Sequence, residues 1–335
     1  MSEKKISRLL MLGVAGESLS DFERAAFKRY PPGGVILFAR NCSAPQKTRA
    51  LIAEIQNISI SATGLPLLVT IDQEGGPVRR LQAGFPDFSG AAALGVLDDP
   101  EKTRSTAFAL GRALRAIGIN GNLAPVADLY QAASKVLHER CFGANPELVA
   151  TQVKVYIEGL QSSGVAACVK HFPGHGTVVG DSHKLLPVSQ LKKSELVDHL
   201  LPFTAAVKAG VRMMMAAHLS FPAIDSQAVP FSPFFLQELA RQELGFSGLL
   251  ISDDLDMAAV AGRPLPEVMV AGLQAGLDMA LWGRNLKPVA DIEPVMADFC
   301  QRVQNSDIAE TLLQAKIERV QHLRLELEQG LRTDG

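Results

Sequence analysis

The sequence predicts an α/β protein built as a single (β/α)8 barrel of the TIM type, and three observations support this. Short, wholly apolar runs alternate with helix-like segments along the chain, as in a parallel sheet that is buried on both faces. Polar residues directly follow most of these runs. The length of 335 residues matches one such barrel with modest insertions. We therefore expect residues 1–335 to form one domain.

The predicted strands are eight apolar runs, and none of them alternates polar with apolar residues. Runs of this kind are expected where helices cover both faces of a parallel sheet. Their regular interleaving with helices favours a closed barrel over a doubly wound open sheet. The runs cover residues 10–14, 35–38, 67–71, 121–124, 166–169, 213–217, 249–251 and 279–281.

Helical spacing of apolar residues fills several of the intervals between these runs. One helix is predicted to begin at Asn145, where a Pro-Glu pair follows the capping residue, and to end at Gly164. Similar helices are predicted after Asp99 and after Ser194. Residues 306–330 carry an amphipathic pattern, and we expect them to pack as a helix on the outside of the barrel.

Composition and charge exclude several classes of function. The formal net charge is −2 without a long block of like charges, so no basic surface for nucleic acid is expected. No apolar run reaches the length of a membrane span, and the N-terminal run is too short for a signal peptide. The four cysteines are scattered without CxxC spacing, which is typical of reduced thiols. The sequence thus predicts a soluble, cytoplasmic protein, which we expect to be a monomer.

Polar residues cluster at the carboxyl ends of the predicted strands. In a parallel barrel these ends meet on one face, which is where the active sites of such barrels lie. A charged group after a buried strand is costly unless it is paired or solvated. Each one alone is as easily an ordinary loop residue, but the whole set favours a polar pocket. The set comprises Arg40, Asp72, Asp128, Lys170, His171, His218, Asp253, Asp254 and Arg284.

The stretch from residue 170 to 183 is the richest in reactive side chains. It holds three histidines directly after a predicted strand, and Pro173 and Gly174 exclude a continuous helix. Asp181 and His183 are two residues apart, so the carboxylate can bond to the imidazole within a turn. Such a pair orients the ring and favours its protonated form, which suits a general acid at neutral pH.

Acidic residues also end the run at 249–251 and stand in the segment 71–80. Successive side chains near a strand end alternate in direction, so Asp253 and Asp254 are not expected to share one role. One would face the pocket while the other braces a loop or caps a helix, and spacing does not say which. In the segment 71–80, Asp72 can accept two sugar hydroxyls, and an arginine can bond to a substrate oxygen.

Several segments together resemble the family 3 glycoside hydrolases, and in particular the short bacterial β-N-acetylhexosaminidases of cell-wall recycling. The resemblance covers about residues 12–285 in order, and its most specific part joins KHFPGHG at 170–176 and DSH at 181–183 to SDD at 252–254. The other matching segments are VILF at 35–38 with RN at 40–41, DQEGG at 72–76, NLAPVAD at 122–128, RCFG at 140–143, AH at 217–218 and FPAID at 221–225.

The resemblance implies a role for each matching position. It makes Asp253 the nucleophile and His183 the proton donor, with Asp181 supporting His183. The implied reaction removes terminal β-linked N-acetylglucosamine with retention, through a covalent glycosyl-enzyme. Asp256 and Ala258 depart from the relatives, which more often carry Ser and a charged or polar residue there. The implied sugar-gripping residues are Asp72, Arg80, Arg140, Lys170 and His171.

Four alternatives remain open. Two of them lie within the family: a β-glucosidase or β-xylosidase, and a phosphorylase. A phosphorylase is considered because a neutral imidazole does not repel an anionic acceptor such as phosphate, as a second carboxylate would. A metal-dependent barrel hydrolase would instead use His171, His175, Asp181 and His183 as ligands. A non-catalytic barrel would bind sugar without turnover. The preferred reading implies no metal, nucleotide or organic cofactor, and a small carbohydrate as the substrate.

Overall fold

The computed structural model describes residues 1–131, 137–178, 186–256, 262–285 and 289–330, and it shows a barrel of parallel strands. The strands are β1 (Leu10–Gly13), β2 (Gly34–Leu37), β3 (Leu68–Ile71), β4 (Gly121–Asn122), β5 (Ala166–Phe172), β6 (Met213–Ala216), β7 (Leu249–Ser252) and β8 (Ala280–Trp282). Their order in the sheet is β7-β6-β5-β4-β3-β2-β1-β8, and every neighbouring pair is parallel.

The barrel closes between β7 and β8, the first and last strands of the sheet order. A parallel bridge joins Ile251 to Met279. The Ser252 amide donates to the Met279 carbonyl at 3.2 Å, and the Leu281 amide donates to Ser252 Oγ at 2.9 Å. The predicted TIM-type barrel is therefore confirmed, and all eight predicted runs contain strand residues.

The helices of the described residues surround the strands, and the helices predicted after Asp99 and Asn145 begin at side-chain caps. Asn145 Oδ1 accepts the Leu148 amide at 2.7 Å, and Asp99 Oδ1 accepts the Glu101 amide at 3.0 Å, as predicted for both positions. The helices are α1 (Glu3–Ile6), α2 (Asp21–Arg29), α3 (Pro45–Thr63), α4 (Ala91–Leu97), α5 (Pro100–Ala116), α6 (Pro146–Ser162), α7 (Val197–Lys208), a π-type helix (Phe234–Glu243), α8 (Leu265–Ala275), α9 (Glu293–Gln304) and α10 (Glu310–Gln329).

Strand β5 is longer than predicted and carries two polar residues into the barrel. The apolar run ends at residue 169, but Lys170, His171 and Phe172 continue the strand. The Lys170 amide donates to the Pro125 carbonyl at 3.1 Å, and the Lys170 carbonyl accepts the Ala127 amide at 2.7 Å. Backbone pairing with the segment after β4 therefore extends β5. The pattern of apolar residues does not predict this extension.

The C-terminal helix α10 crosses the end of the barrel opposite the strands' carboxyl ends. Arg324 donates to the carbonyls of Leu65 and Pro66, both at 2.7 Å, just before β3. Lys316 donates to the Leu277 carbonyl at 2.7 Å, just before β8. The predicted amphipathic helix is present, and it covers the amino ends of the strands.

Apolar side chains fill the barrel and the space between strands and helices. One contiguous cluster holds almost all of the buried hydrophobic residues of the described ranges. The four cysteines are buried and unpaired, as predicted. Among the helices that the structure describes, none is both long enough and apolar enough to cross a membrane.

Candidate active site

A polar cavity of about 220 Å³ opens at the carboxyl ends of the strands. This is the face on which the sequence predicts a site. Six of the eight site residues predicted from the sequence border it, and they come from four different strand ends. The polar residues that line it are Asp72, Arg80, Arg140, Lys170, His171, His175, Asp253, Asp254 and Asn285.

Asp253 stands at the end of β7 with one carboxylate oxygen fixed. Its Oδ1 accepts the Asp254 amide at 2.8 Å, and its own amide donates to the Ala216 carbonyl of β6 at 3.1 Å. Burial disfavours the charged form, but the nearby rings of His171 and His218 and the bound amide outweigh it. The pKa of Asp253 therefore lies below its usual value. An ionised carboxylate with a fixed Oδ1 presents Oδ2 as a nucleophile.

Asp254 borders the same cavity but has different partners. Its Oδ1 accepts the Gly283 amide at 2.9 Å and the Asp256 amide at 3.1 Å, and these bonds tie the β7 loop to the end of β8. Burial raises the pKa of Asp254 to about 7, and the charges of Asp256 and Asp253 add to this effect. The expectation that Asp253 and Asp254 differ in role agrees with these contacts, although both side chains reach the cavity.

Lys170, Asp72 and Arg80 form a charged group that borders the same cavity as Asp253. Lys170 Nζ donates to Asp72 Oδ1 at 2.8 Å, and Arg80 lies 3.3 Å from Asp72 Oδ2. Burial raises the pKa of Asp72, but the charges of Lys170 and Arg80 outweigh burial, so the pKa lies below its usual value. Burial conversely lowers the pKa of Lys170, and Asp72 and Glu74 more than restore it. These groups therefore stay charged in the cavity.

Glu74 completes this group, and sequence reasoning gave it no role. Its carboxylate accepts two bonds from Arg140, at 2.8 and 2.9 Å, and Lys170 Nζ lies 2.6 Å from its Oε1. The position was visible inside the DQEGG segment. However, the sequence alone does not show that a carboxylate pairs with cations that lie far away along the chain.

The loop that carries Asp72 and Glu74 is held by amide side chains. Asn122 of β4 pairs with both backbone groups of Gln73, accepting its amide at 3.0 Å and donating to its carbonyl at 2.9 Å. Gln73 Oε1 in turn accepts the amides of Arg80 and Leu81 at 2.8 and 3.0 Å. These bonds fix the direction in which Asp72, Glu74 and Arg80 point.

His171 is oriented by a carboxylate beneath the cavity. Its Nδ1 lies 2.7 Å from Asp128 Oδ2, and the rings of His171 and His175 meet edge to face with centroids 5.8 Å apart. Burial and the neighbouring His171 lower the pKa of His175. His171 and His175 both border the cavity, whereas Asp128 is fully buried below them.

Three of the polar residues at strand ends serve the scaffold instead of lining the cavity. Arg284 is buried and bonds to Glu23 Oε1 at 2.6 Å. Arg40 donates to the carbonyls of Val14 and Gly283 at 2.9 and 2.8 Å. His218 Nε2 lies 3.1 Å from the Asp254 carbonyl. None of these three borders the cavity, and neither does the buried Asp128, so the prediction that they line the polar pocket was wrong for these four residues.

Asp181 and His183, the predicted acid/base pair, lie outside the described residues, as does Ala258. Two of the four residues considered as metal ligands, His171 and His175, are described. Within the described ranges, no group of three or more His, Cys, Asp or Glu side chains is placed to hold a metal ion.

The barrel and this cavity define an enzyme of the TIM-barrel class with a small polar site. The Asp253 carboxylate, held through Oδ1, borders the cavity together with a cluster of paired charges that is suited to bind hydroxyl groups. The chain matches the model of the glycosyl hydrolase family 3 N-terminal domain over residues 1–323. It therefore belongs to glycosyl hydrolase family 3, and it is a glycosidase.

Individual relatives agree with this assignment. A β-hexosaminidase of Thiobacillus denitrificans is 40% identical over 280 residues, covering 81% of this chain and 77% of that protein. A family 3 β-N-acetylglucosaminidase structure from Paenibacillus sp. str. FPU-7 matches 98% of this chain with a TM-score of 0.91 and 34% identity. This chain spans 63% of that protein. NagZ of Neisseria gonorrhoeae, solved with N-trifluoroacetyl-D-glucosamine, is 29% identical with a TM-score of 0.76, covering 94% of this chain and 97% of NagZ.

Proposed function

We propose that the chain is a retaining exo-β-N-acetylglucosaminidase that removes terminal β-linked N-acetylglucosamine. Asp253 is the nucleophile, and His183 with Asp181 is the acid/base pair. The observation that carries the proposal is the ionised Asp253 carboxylate, whose Oδ1 is held by the Asp254 amide while the side chain borders the cavity. The names of the relatives, and the glucosamine derivative bound to NagZ, support an N-acylated hexosamine as the substrate.

The size of the cavity supports removal of one sugar at a time. Its volume of about 220 Å³ is below the range of about 300 Å³ upward that is typical of sites for larger ligands. Asp72, Arg80, Arg140, Lys170 and His171 are the residues that we propose grip the hydroxyl groups of this terminal sugar. Their charged groups are paired within this set or with Glu74 and Asp128, so they can bind a neutral sugar without leaving a buried charge alone.

The proposed reaction takes two steps. Asp253 Oδ2 attacks the anomeric carbon, the bond to the leaving oxygen breaks, and His183 gives that oxygen a proton. Water then attacks the same carbon while His183 takes its proton, and the bond to Asp253 breaks with the electron pair returning to the carboxylate. The sugar leaves with the configuration it had at the start, because each step inverts the anomeric carbon.

The physiological substrate that we propose is a peptidoglycan fragment, met in the cytoplasm by a monomeric enzyme. A histidine as acid/base is positive before it gives up its proton and neutral afterwards, so it does not repel an anionic leaving group as a second carboxylate would. Four buried, unpaired cysteines support a reducing compartment. Because a histidine does not repel anions, phosphate could also replace water as the acceptor. The product would then be a sugar phosphate instead of free sugar.

The test compares chromogenic β-N-acetylglucosaminide and β-glucoside with the wild type, Asp253→Ala and His183→Ala. Asp87→Ala is the control, because Asp87 is exposed and pairs with Arg79, and neither residue borders the cavity. Turnover of the first substrate, abolished by Asp253→Ala and strongly lowered by His183→Ala, is expected. Azide should restore Asp253→Ala and give the α-glycosyl azide, since azide then attacks from the side that the carboxylate leaves empty.

Any result other than those expected would overturn a specific part of the proposal. A preference for the glucoside removes the sugar assignment and leaves the mechanism. Formation of sugar phosphate in phosphate buffer makes the enzyme a phosphorylase. Absence of turnover, or full activity of Asp253→Ala, would make the central assignment wrong.

A further inference from the structure

Asp128 is a fully buried carboxylate that contacts two histidines beneath the cavity. It lies beyond β4, whereas both histidines belong to β5 and the turn that follows it. Its Oδ2 is 2.7 Å from His171 Nδ1 and accepts the His171 amide at 3.3 Å, and its Oδ1 accepts the His175 amide at 2.5 Å. Three bonds thus join this carboxylate to the segment that enters the cavity.

The charge on Asp128 fixes which nitrogen of His171 carries the proton. Burial opposes ionisation, but His171, His175 and the bonds that they donate lower the pKa of Asp128 below its usual value. An ionised carboxylate only accepts hydrogen bonds, so His171 Nδ1 must be the donor. The ring therefore carries its proton on Nδ1, which leaves Nε2 as the nitrogen available to a ligand in the cavity.

We propose that Asp128 is a positioning residue of the active site, which sets the tautomer and direction of His171 so that its Nε2 meets a sugar hydroxyl. The consequence for activity rests on the proposed function, whereas the tautomer does not. His171 borders the cavity together with Asp253 and Lys170. Asp128 itself does not touch the ligand and acts only through the ring.

Replacement by asparagine separates this role from a purely structural one. Asparagine is similar in shape, and its Oδ1 can still accept the His175 amide. Its NH2 group then takes the place of Oδ2, so the long 3.3 Å bond from the His171 amide is lost. His171 Nδ1 must become an acceptor, and the proton moves to Nε2. A hydrogen-bond acceptor toward the sugar is thereby changed into a donor, with little change in packing.

Asp278 provides the matched control. It is also fully buried, but it lies at the opposite end of the barrel, where it accepts the Leu250 amide at 2.8 Å and pairs with Arg241 and Arg319. Asp278→Asn therefore also removes a buried negative charge and leaves the cavity untouched. A loss of activity that came only from general destabilisation would appear in both variants.

Two measurements test the proposal on the full chain. The first is kcat/KM of the wild type, Asp128→Asn and Asp278→Asn on a chromogenic β-N-acetylglucosaminide, well below the temperature of unfolding. We expect Asp128→Asn to lower kcat/KM by roughly 10- to 100-fold, the range found when a carboxylate that orients a metal-bound histidine is removed. Asp278→Asn should stay near the wild type.

The second measurement is the long-range ¹H–¹⁵N NMR spectrum of the histidine rings, with His171 assigned through His171→Gln. In mildly alkaline buffer the wild-type ring should carry its proton on Nδ1, and the Asp128→Asn ring should carry it on Nε2. A wild-type ring protonated on Nε2, or a kcat/KM unchanged in Asp128→Asn, would overturn the proposal. The NMR result holds without any turnover, so failure of the proposed activity is distinguishable from failure of this role.

Discussion

Glu74 accepts a two-point hydrogen bond from Arg140, from Nε at 2.9 Å and from a terminal nitrogen at 2.8 Å. Its Oε1 is also 2.6 Å from Lys170 Nζ. Burial raises the pKa of Glu74, but the two cations more than offset this effect, and the pKa falls far below its usual value. Glu74 is therefore the anion that lets two cations share one side of a small cavity.

Glu74→Gln should weaken sugar binding, because the amide keeps the shape and removes the charge that holds Arg140 and Lys170 in place. We expect KM for a β-N-acetylglucosaminide to rise roughly 10-fold or more, the effect of about 1.4 kcal/mol of lost binding. Steady-state kinetics measure this. Glu54→Gln is the control, since Glu54 pairs with Arg24 on the surface. An unchanged KM in Glu74→Gln would show that the pairing does not position the sugar-binding groups.

The sequence was sufficient to predict where the eight strands lie and that acidic residues follow β7. Wholly apolar runs mark β1 to β8 because both faces of a parallel sheet are buried. The strand end placed both Asp253 and Asp254 at this face of the barrel, whereas the choice of Asp253 came from the family resemblance.

Glu74 and the longer β5 could not be derived in the same way. Both depend on contacts between residues far apart in the chain, Glu74 with Arg140 and Lys170 with Pro125. Arg284 was misjudged for the same reason, since its partner Glu23 is 261 positions away.

Gly283→Ala should disturb Asp253, the proposed nucleophile, through Asp254. A Cβ at residue 283 would lie 2.2 Å from Asp254 Oδ2 and 2.8 Å from a ring carbon of Phe38. Asp254 must then move, and its amide holds Asp253 Oδ1. We expect a loss of stability of about 1–3 kcal/mol together with a fall in kcat.

Unfolding midpoints and kcat measure the two effects of Gly283→Ala. Gly16→Ala is the matched control, because a Cβ at residue 16 meets no atom within 4 Å. Wild-type behaviour of Gly283→Ala would contradict the proposed link between the two strand ends.

Asp254→Asn should change how stability depends on pH. The folded-state pKa of Asp254 is raised to about 7, above that of an unfolded aspartate. The folded chain therefore keeps a proton that the unfolded chain loses. This contribution is complete at acid pH, declines as pH rises from about 4 to 7, and is constant above that. Relative to Asp254→Asn, the wild type should thus lose stability over this window, by roughly 2–4 kcal/mol.

Urea unfolding of both proteins at a series of pH values measures this difference. Asn keeps an oxygen that accepts the Gly283 and Asp256 amides, so the variant isolates the ionisation. A difference between the two proteins that stays constant from pH 4 to pH 8 would show that Asp254 ionises normally in the folded chain.

The Arg284–Glu23 pair is the fourth test, and it concerns the scaffold. Both side chains are almost completely buried, with an N···O distance of 2.6 Å, and Glu23 also accepts the amides of Ala15 and Ser20 at 2.8 and 2.9 Å. Burial raises the pKa of Glu23, but these bonds and the Arg284 charge outweigh it, so the pKa is lowered. Removing one partner leaves the other charge buried and alone, which costs about 3–5 kcal/mol.

Arg284→Met and Glu23→Gln should therefore each lower the free energy of unfolding by about 3–5 kcal/mol. The double variant should lose clearly less than the sum, because no unpaired charge remains in it. The single tryptophan, Trp282, is buried at the end of β8 and donates to Asp256 at 3.0 Å, so its fluorescence follows unfolding by urea. Strictly additive losses would mean that the two residues stabilise the barrel through their other contacts. Kinetic constants of the folded single variants should stay near the wild type, because neither side chain borders the cavity.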